Sequence, residues 1–223
     1  MSKYEHQKVK AVGVTKSLVE GVDSPEELIV YMARVSNPSN QMNMKTAKGL
    51  LDYCKRNAHW SIFGMVNIQL EVETTRDIGR QLLRHSSIVP QEFSQRYADP
   101  TKDLYFVCRE SRMQDNKNRQ NSTECTDPQI AAFWEQYQKK VIETAAEAYR
   151  WAVEHGIAKE QARSVLPEGN TMSKLYLNAN IRSLIHYCEV RMHESTQKEH
   201  RDLAEKIWKT TAEHFPSIFN NSK

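Results

Sequence analysis

Hydrophobic and polar residues alternate most strictly near positions 66–73, where Val66, Ile68, Leu70 and Val72 are separated by Asn67, Gln69 and Glu71 and followed by Glu73. A period of two buries one face of a strand and leaves the other wet or paired. A shorter, β-branched segment at 8–14 predicts another strand. Ser24-Pro25-Glu26-Glu27 predicts a helix start: Ser24 caps, Pro25 suits the first turn and Glu27 closes a capping box. That helix is expected to run to about Val35 and stop at Asn37-Pro38. A second, over 45–57, places Leu50, Leu51 and Cys54 on one side. Thr74 or Thr75 is expected to cap a short helix reaching about Arg84, and 94–97 and 104–109 read as two further strands. Residues 111–127 are polar and aperiodic, the best candidate for a mobile loop in a chain read as one domain over 1–223. Asp127-Pro128 opens the longest helix, expected to end near His155 with Gly156 behind it. Helices over 159–166 and 172–192 follow, then a last one from about Ser195 to before Pro216. Strands in the first half and helices in the second predict an α+β fold.

Composition adds mainly exclusions. A chain of 223 residues suffices for one sizeable domain. Lys+Arg number 31 against 28 Asp+Glu, a formal charge of +3. That excess is too small to argue for nucleic acid, which stays a weak reading through local Arg/Lys clusters. No apolar run approaches the ~20 residues that span a bilayer, and MSKYEHQKVK lacks the apolar centre of a leader, so a cytoplasmic protein without membrane contact is expected. Cys54, Cys108, Cys125 and Cys188 lie far apart and read as reduced thiols. GxGxxG, GxxxxGK[ST] and GxSxG are all missing. His193-Glu194-Ser195-Thr196-Gln197 differs from the zinc motif HExxH by an amide, a poor zinc ligand, so it reads as a polar helix face and no metal is expected.

Candidate chemistry concentrates in two stretches. Between Gln81 and Tyr97 lie Arg84, His85, Glu92, Arg96 and several hydroxyls. Arginines at a helix end complement its dipole, yet Arg84 and Arg96 flanking a hydrogen-bonding loop also suit a phosphate and a planar heterocycle. An anion or nucleotide site and a solvated loop both fit. The second stretch, read as one late helix, holds Asn178, Asn180, Arg182, His186 and Arg191. At ~100° per residue Arg182 and His186 are ~40° apart, whereas His186 and Arg191 are ~140° apart. Either one of that last pair is structural or the helix lies between two sites.

Together these stretches resemble the flavin-dependent thymidylate synthases, the ThyX family, whose signature is RHRxxSxNExSxRY. Arg84, His85, Glu92, Ser94, Arg96 and Tyr97 match it in register, with Gln91 in place of Asn. Ala33-Arg34-Val35-Ser36, His59-Trp60-Ser61, Ala162-Arg163-Ser164-Val165-Leu166-Pro167, Asn180-x-Arg182, His186-x4-Arg191 and Gln197-x-Glu199 resemble further family segments, over about residues 30–215.

The resemblance implies an antiparallel sheet with a helical bundle, and a homotetramer whose active sites draw on several subunits. It implies conversion of dUMP to dTMP, with NADPH reducing bound FAD and methylenetetrahydrofolate giving one carbon. By that analogy Gln81, Arg84, Glu92, Ser94, Gln95, Arg96, Arg163 and Arg191 hold dUMP. Ser61, Arg84, His85, Glu92, Asn180, Arg182 and His186 face FAD. Arg191 is the catalytic residue, stabilising charge on the uracil ring, and no cysteine nucleophile is needed.

Three departures fall on the flavin side. Ser86 replaces the second arginine of RHR, and Gly64-Met65 replaces the Glu-His that closes H-x-[ST]-x-x-E-H. Val89 also replaces the signature's first serine. Two alternatives follow: a same-fold dUMP or dCMP hydroxymethylase, in which water captures a methylene intermediate, and a catalytically silent deoxynucleotide-binding protein.

Overall fold

The computed structural model describes residues 6–219; the expectation drawn from residues 1–10 rests partly on residues outside them. Strand β1 (Lys8–Val14) is followed by helices α1 (Pro25–Ala33) and α2 (Ala47–Arg56), a 3-10 turn at Trp60–Gly64, strand β2 (Asn67–Thr75) and helix α3 (Arg76–Leu82). Next come β3 (Ile88–Glu92), the short α4 (Pro100–Asp103), β4 (Arg112–Gln114), β5 (Ser122–Glu124) and α5 (Pro128–Glu154). The chain closes with α6 (Lys159–Ala162), a 3-10 turn at Arg163–Val165, β6 (Met172–Asn180), α7 (Ile181–Arg191) and α8 (Lys198–Ala212).

The main sheet has the order β1-β2-β6-β3, every neighbour antiparallel. One face is apolar. Ile68, Leu70 and Val72 from β2 and Leu175, Leu177 and Ala179 from β6 share a core with Ile29 of α1, Leu51 of α2, Ile78 of α3, Leu184 of α7 and Leu203 of α8. The other face is a polar ladder. Gln69 Nε2 donates to Asn178 Oδ1 at 2.9 Å, Tyr176 Oη donates to Glu71 at 2.7 Å, and Lys174 pairs with Glu73 at 3.2 Å. The alternation at 66–73 therefore does what its period requires: the apolar half is packed by helices and the polar half cross-links the strands. Leu177, 1% exposed on a strand paired on both sides, is a sensitive point. Leu177→Ala is expected to cost roughly 2–5 kcal/mol, lowering the thermal midpoint by about 10 °C in a scanning calorimeter.

The capping box forms as expected: Glu27 N–H donates to Ser24 Oγ at 3.1 Å, and Glu27 Oε2 accepts from Ser24 N–H at 3.0 Å. Asp127 caps α5 through Gln129 and Ile130, and Gly156 sits behind its end at φ +80°, where a side chain would be strained. The C-terminal half of α5 buries Ala145, Ala146, Tyr149 and Ala152. Its N-terminal half leaves Ile130, Phe133, Trp134, Tyr137 and Val141 exposed at helical spacing. No helix among the described residues is long and apolar enough to cross a membrane.

Several expectations fail. Residues 172–192 are not one helix, because Met172–Asn180 is the strand at the centre of the sheet. Its burial alternates at Leu175, Leu177 and Ala179, and only Asn180, whose side chain accepts from Ser183 N–H at 2.9 Å, turns the chain into α7. Strands therefore do not end in the first half. Residues 94–97 form a turn, with Tyr97 and Ala98 amides donating to Ser94 O. The strand lies earlier, at Ile88–Glu92, on a sheet edge where Pro90 is tolerated. Over 104–109 only Phe106 makes an isolated bridge, to Thr171. Helix α3 stops at Leu82, short of Arg84, and Thr75 directs its hydroxyl to Asp77 Oδ1 instead of an amide. Residues 111–127 carry the small β4–β5 hairpin.

Candidate functional site

Helices α3, α7 and α8 bring residues from distant sequence positions against one another. Arg191, in the last turn of α7, donates its Nε–H to His85 Nε2 at 2.9 Å. Because that nitrogen accepts, the proton of a neutral His85 sits on Nδ1. Burial lowers the His85 pKa, and the nearby charges of Arg191, His186 and Arg84 lower it further. The His85 ring meets Tyr187 edge-on at 4.9 Å. Gln81, on α3, donates to Gln197 Oε1 at 2.8 Å, and its own Oε1 lies 3.2 Å from His200 Nδ1.

Glu92, at the end of β3, sits in a second group. It lies 3.4 Å from Arg76 and 3.4 Å from Arg80, and accepts from Ser173 Oγ at 3.0 Å. Arg76 is buried and also reaches Glu168 at 3.2 Å. Arg96 pairs with Glu160 of α6 at 3.1 Å, and Arg163 lies in the turn directly after that helix. The Ser94 hydroxyl accepts from Arg96 N–H, while Gln95 is buried with its Nε2 unpartnered.

A cleft of about 560 Å³ forms the third group, lined by Trp60, Gly64, Ser87, Asn180, Arg182 and His186 among others. Ser61 is exposed on the adjoining turn, and Arg84 is exposed just beyond α3. Neither Arg84 nor Arg182 has an ion-pair partner among the described residues. Ser86 and Met65 are exposed, and a Cβ on Gly64 would meet nothing within 4 Å. Asn178 does not join this cleft: it belongs to the polar ladder of the sheet, not to a late helix.

The expected residues thus fall into three sets of contacts, and His85, close enough to Arg191, His186 and Arg84 to be shifted by all three, lies near both the first set and the cleft. His186 faces the cleft and Arg191 faces His85, as the ~140° between them requires. His193, Glu194 and Gln197 lie in the turn between α7 and α8 instead of on a helix, with His193 Nδ1 2.8 Å from Ser195 Oγ. Among the described residues no group of three or more His, Cys, Asp or Glu is placed to hold a metal ion. Burial raises the thiol pKa of Cys54, Cys108 and Cys188, the direction opposite to nucleophile activation.

Sequence reasoning missed Arg76, Arg80, Glu168, Tyr187 and His200. Arg76, Arg80 and Arg84 recur every four residues, a visible signal for one helix-side basic stripe. Nothing local marks the other three, whose partners come from other segments.

A four-stranded antiparallel sheet with helices packed on its apolar face defines an α+β protein. The chain belongs to the flavin-dependent thymidylate synthase family, a family of enzymes, the model of the thymidylate synthase complementing proteins (Thy1) matching residues 17–217. It is 47% identical over 209 residues to a probable flavin-dependent thymidylate synthase of Paramecium bursaria Chlorella virus 1, covering 94% of this chain and 95% of that one. It is 46% identical over 213 residues to the flavin-dependent thymidylate synthase of Synechocystis sp., covering 94% and 96%. Among solved structures it resembles the UMP/dUMP methylase PolB from Streptomyces cacaoi bound with 5-Br UMP, with a TM-score of 0.80, 25% identity and coverage of 96% and 92%.

Proposed function

We propose that this chain methylates dUMP to dTMP, with methylenetetrahydrofolate as carbon donor, NADPH as reductant and FAD as bound cofactor. The observation that carries this reading is the division of cations on one chain. Arg191 is held by His85, while Arg84 and Arg182, without carboxylate partners, stand by for anionic groups.

The chemistry of the second set fits a flavin dinucleotide. Arg84 and Arg182 supply charge for its diphosphate, and Asn180, His186, Ser61 and His85 supply hydrogen bonds. Glu92 stands at the border of the two ligands. FAD would pass two electrons from NADPH, which a methylene carbon needs to become a methyl group. Gln81, Ser94, Gln95, Arg96 and Arg163 hold the nucleotide. Arg191 is the catalytic residue: its Nε is spent on His85, leaving the terminal guanidinium nitrogens to stabilise negative charge as the uracil N3 proton leaves.

This reading includes a homotetramer whose active sites draw on several subunits. The exposed stripe of Ile130, Phe133, Trp134, Tyr137 and Val141 on α5 is the surface to cover. Trp134→Glu combined with Tyr137→Glu is expected to shift the protein to a smaller species in size-exclusion chromatography and to remove most turnover. A double variant that keeps both size and activity would place the interface elsewhere.

The function is tested by incubating purified protein with dUMP, FAD, NADPH and methylenetetrahydrofolate and weighing the nucleotide product. A methyl increment supports the proposal and a hydroxymethyl increment supports the hydroxymethylase. Unchanged dUMP in a protein that gains no flavin absorbance supports the silent binding protein. UMP belongs beside dUMP in the assay, given the likeness to a UMP/dUMP methylase.

A further inference from the structure

Behind Gln81 and Arg191 runs a buried chain of polar contacts. His200, on α8, is fully buried. Its Nε2 lies 3.1 Å from Tyr187 Oη and its Nδ1 lies 3.2 Å from Gln81 Oε1. Tyr187 is fully buried too, and its ring supports His85, which accepts from Arg191.

The structure shows one self-consistent run of donors and acceptors along this chain. Gln197 Oε1 can only accept, so Gln81 presents Nε2 to it and turns Oε1 the other way. That oxygen can only accept, so the His200 proton sits on Nδ1. Nε2 is then an acceptor, and the Tyr187 hydroxyl donates to it. Burial, with Arg191 and His85 nearby, pushes the His200 pKa down to about 3, so the ring is neutral at neutral pH and one of its nitrogens is an acceptor. A free glutamine amide exchanges its oxygen and nitrogen by a half-turn at little cost. Here such a turn would set an N–H against the His200 N–H and an oxygen against the Gln197 oxygen, unless the Gln197 amide and the His200 proton moved with it.

We propose that His200, anchored by Tyr187, is a positioning residue that fixes the amide of Gln81 in one orientation for the nucleotide. The proposal rests on the reading that Gln81 contacts dUMP. Neither His200 nor Tyr187 touches the ligand; what they contribute is an amide already set in its binding orientation.

The test is calorimetric binding of dUMP to the FAD-loaded protein, with the Gln81→Ala, His200→Phe, His200→Asn and Tyr187→Phe variants and the Gln81→Ala/His200→Phe pair. His200→Phe is expected to weaken dUMP about five- to tenfold, the scale of one lost oriented hydrogen bond. In turnover, KM rises while kcat changes less. His200→Asn, whose side-chain amide places an N–H near the Nδ1 position, is expected to restore most of the affinity. In the Gln81→Ala background His200→Phe is expected to add no further loss. Full additivity, or equal loss in His200→Phe and His200→Asn, overturns the positioning role. So does a His200→Phe variant that binds dUMP as the wild type does while Gln81→Ala does not. If Gln81→Ala itself leaves dUMP affinity unchanged, the nucleotide reading of Gln81 has failed, and this proposal with it. Should His200→Phe not fold, Tyr187→Phe carries the test. It removes the hydrogen-bond partner of His200 Nε2 and is expected to weaken dUMP in the wild-type background and not in Gln81→Ala; any other pattern overturns the proposal.

Discussion

Replacing Arg191 with alanine is expected to lower kcat by about 10²–10³-fold, the range seen when one preorganised donor to a developing anion is removed. Its thermal midpoint is expected to stay within a few degrees of wild type. The asymmetry follows from what the side chain touches. Its Nε donates to His85, and it has no ion-pair partner among the described residues, so its removal orphans no buried carboxylate. His85 loses a donor but keeps its edge-on packing on Tyr187. A group that acts on charge appearing only during reaction affects kcat more than nucleotide affinity. Steady-state kinetics beside dUMP calorimetry and a melting curve decide the matter. A variant with normal kcat and a raised KM would make Arg191 a ground-state anchor, and one that fails to fold would make it structural.

Mixing two inactive variants is expected to restore activity. Arg163 follows α6 beside the Arg96–Glu160 pair, whereas Arg191 ends α7 against His85. If a site takes Arg191 from one subunit and Arg163 from its neighbour, an Arg191→Ala chain and an Arg163→Ala chain together form one intact and one doubly damaged site per mixed pair. In tetramers that carry both tags, random association then returns about a quarter to a third of wild-type activity, from variants each nearly inactive alone. The measurement is turnover of the co-expressed, doubly tagged assembly purified through both tags in succession. A mixed assembly no more active than its parents would put both arginines in the same subunit's contribution to each site.

The parts of the fold visible in the sequence were those governed by neighbours along the chain. The Ser24–Glu27 box, the alternation from Val66 to Val72 and the Gly156 stop each depend on a handful of consecutive residues. Met172–Asn180 reads as helix from its sequence because its leucines suit a helix as well as a strand. What decides between them is pairing with β2 on one side and β3 on the other, which no local window contains. Pro90 concealed β3 for a related reason, since proline is acceptable in a strand only at an edge. The site divides in the same way. Arg84, His85, Glu92, Arg182 and His186 stand out by type and spacing. Arg76 and His200 matter only through Glu92, Glu168, Gln81 and Tyr187, which the fold delivers from elsewhere.

The pairing of β2 with β6 joins Asn67 to Asn180 and Thr75 to Met172, roughly 100 residues apart along the chain. Contacts this distant raise contact order and slow folding, because the loop must close before any of them forms. At synthesis rates of about 5–20 residues per second, β1 and β2 leave the ribosome many seconds before β6. In that interval the β1–β2 pair has an open edge and lacks α7 and α8 over Ile68, Leu70 and Val72. The strand that completes the sheet is therefore also the one that ends the nascent chain's exposure to aggregation, and truncation before Met172 should leave a product that needs a chaperone to stay in solution.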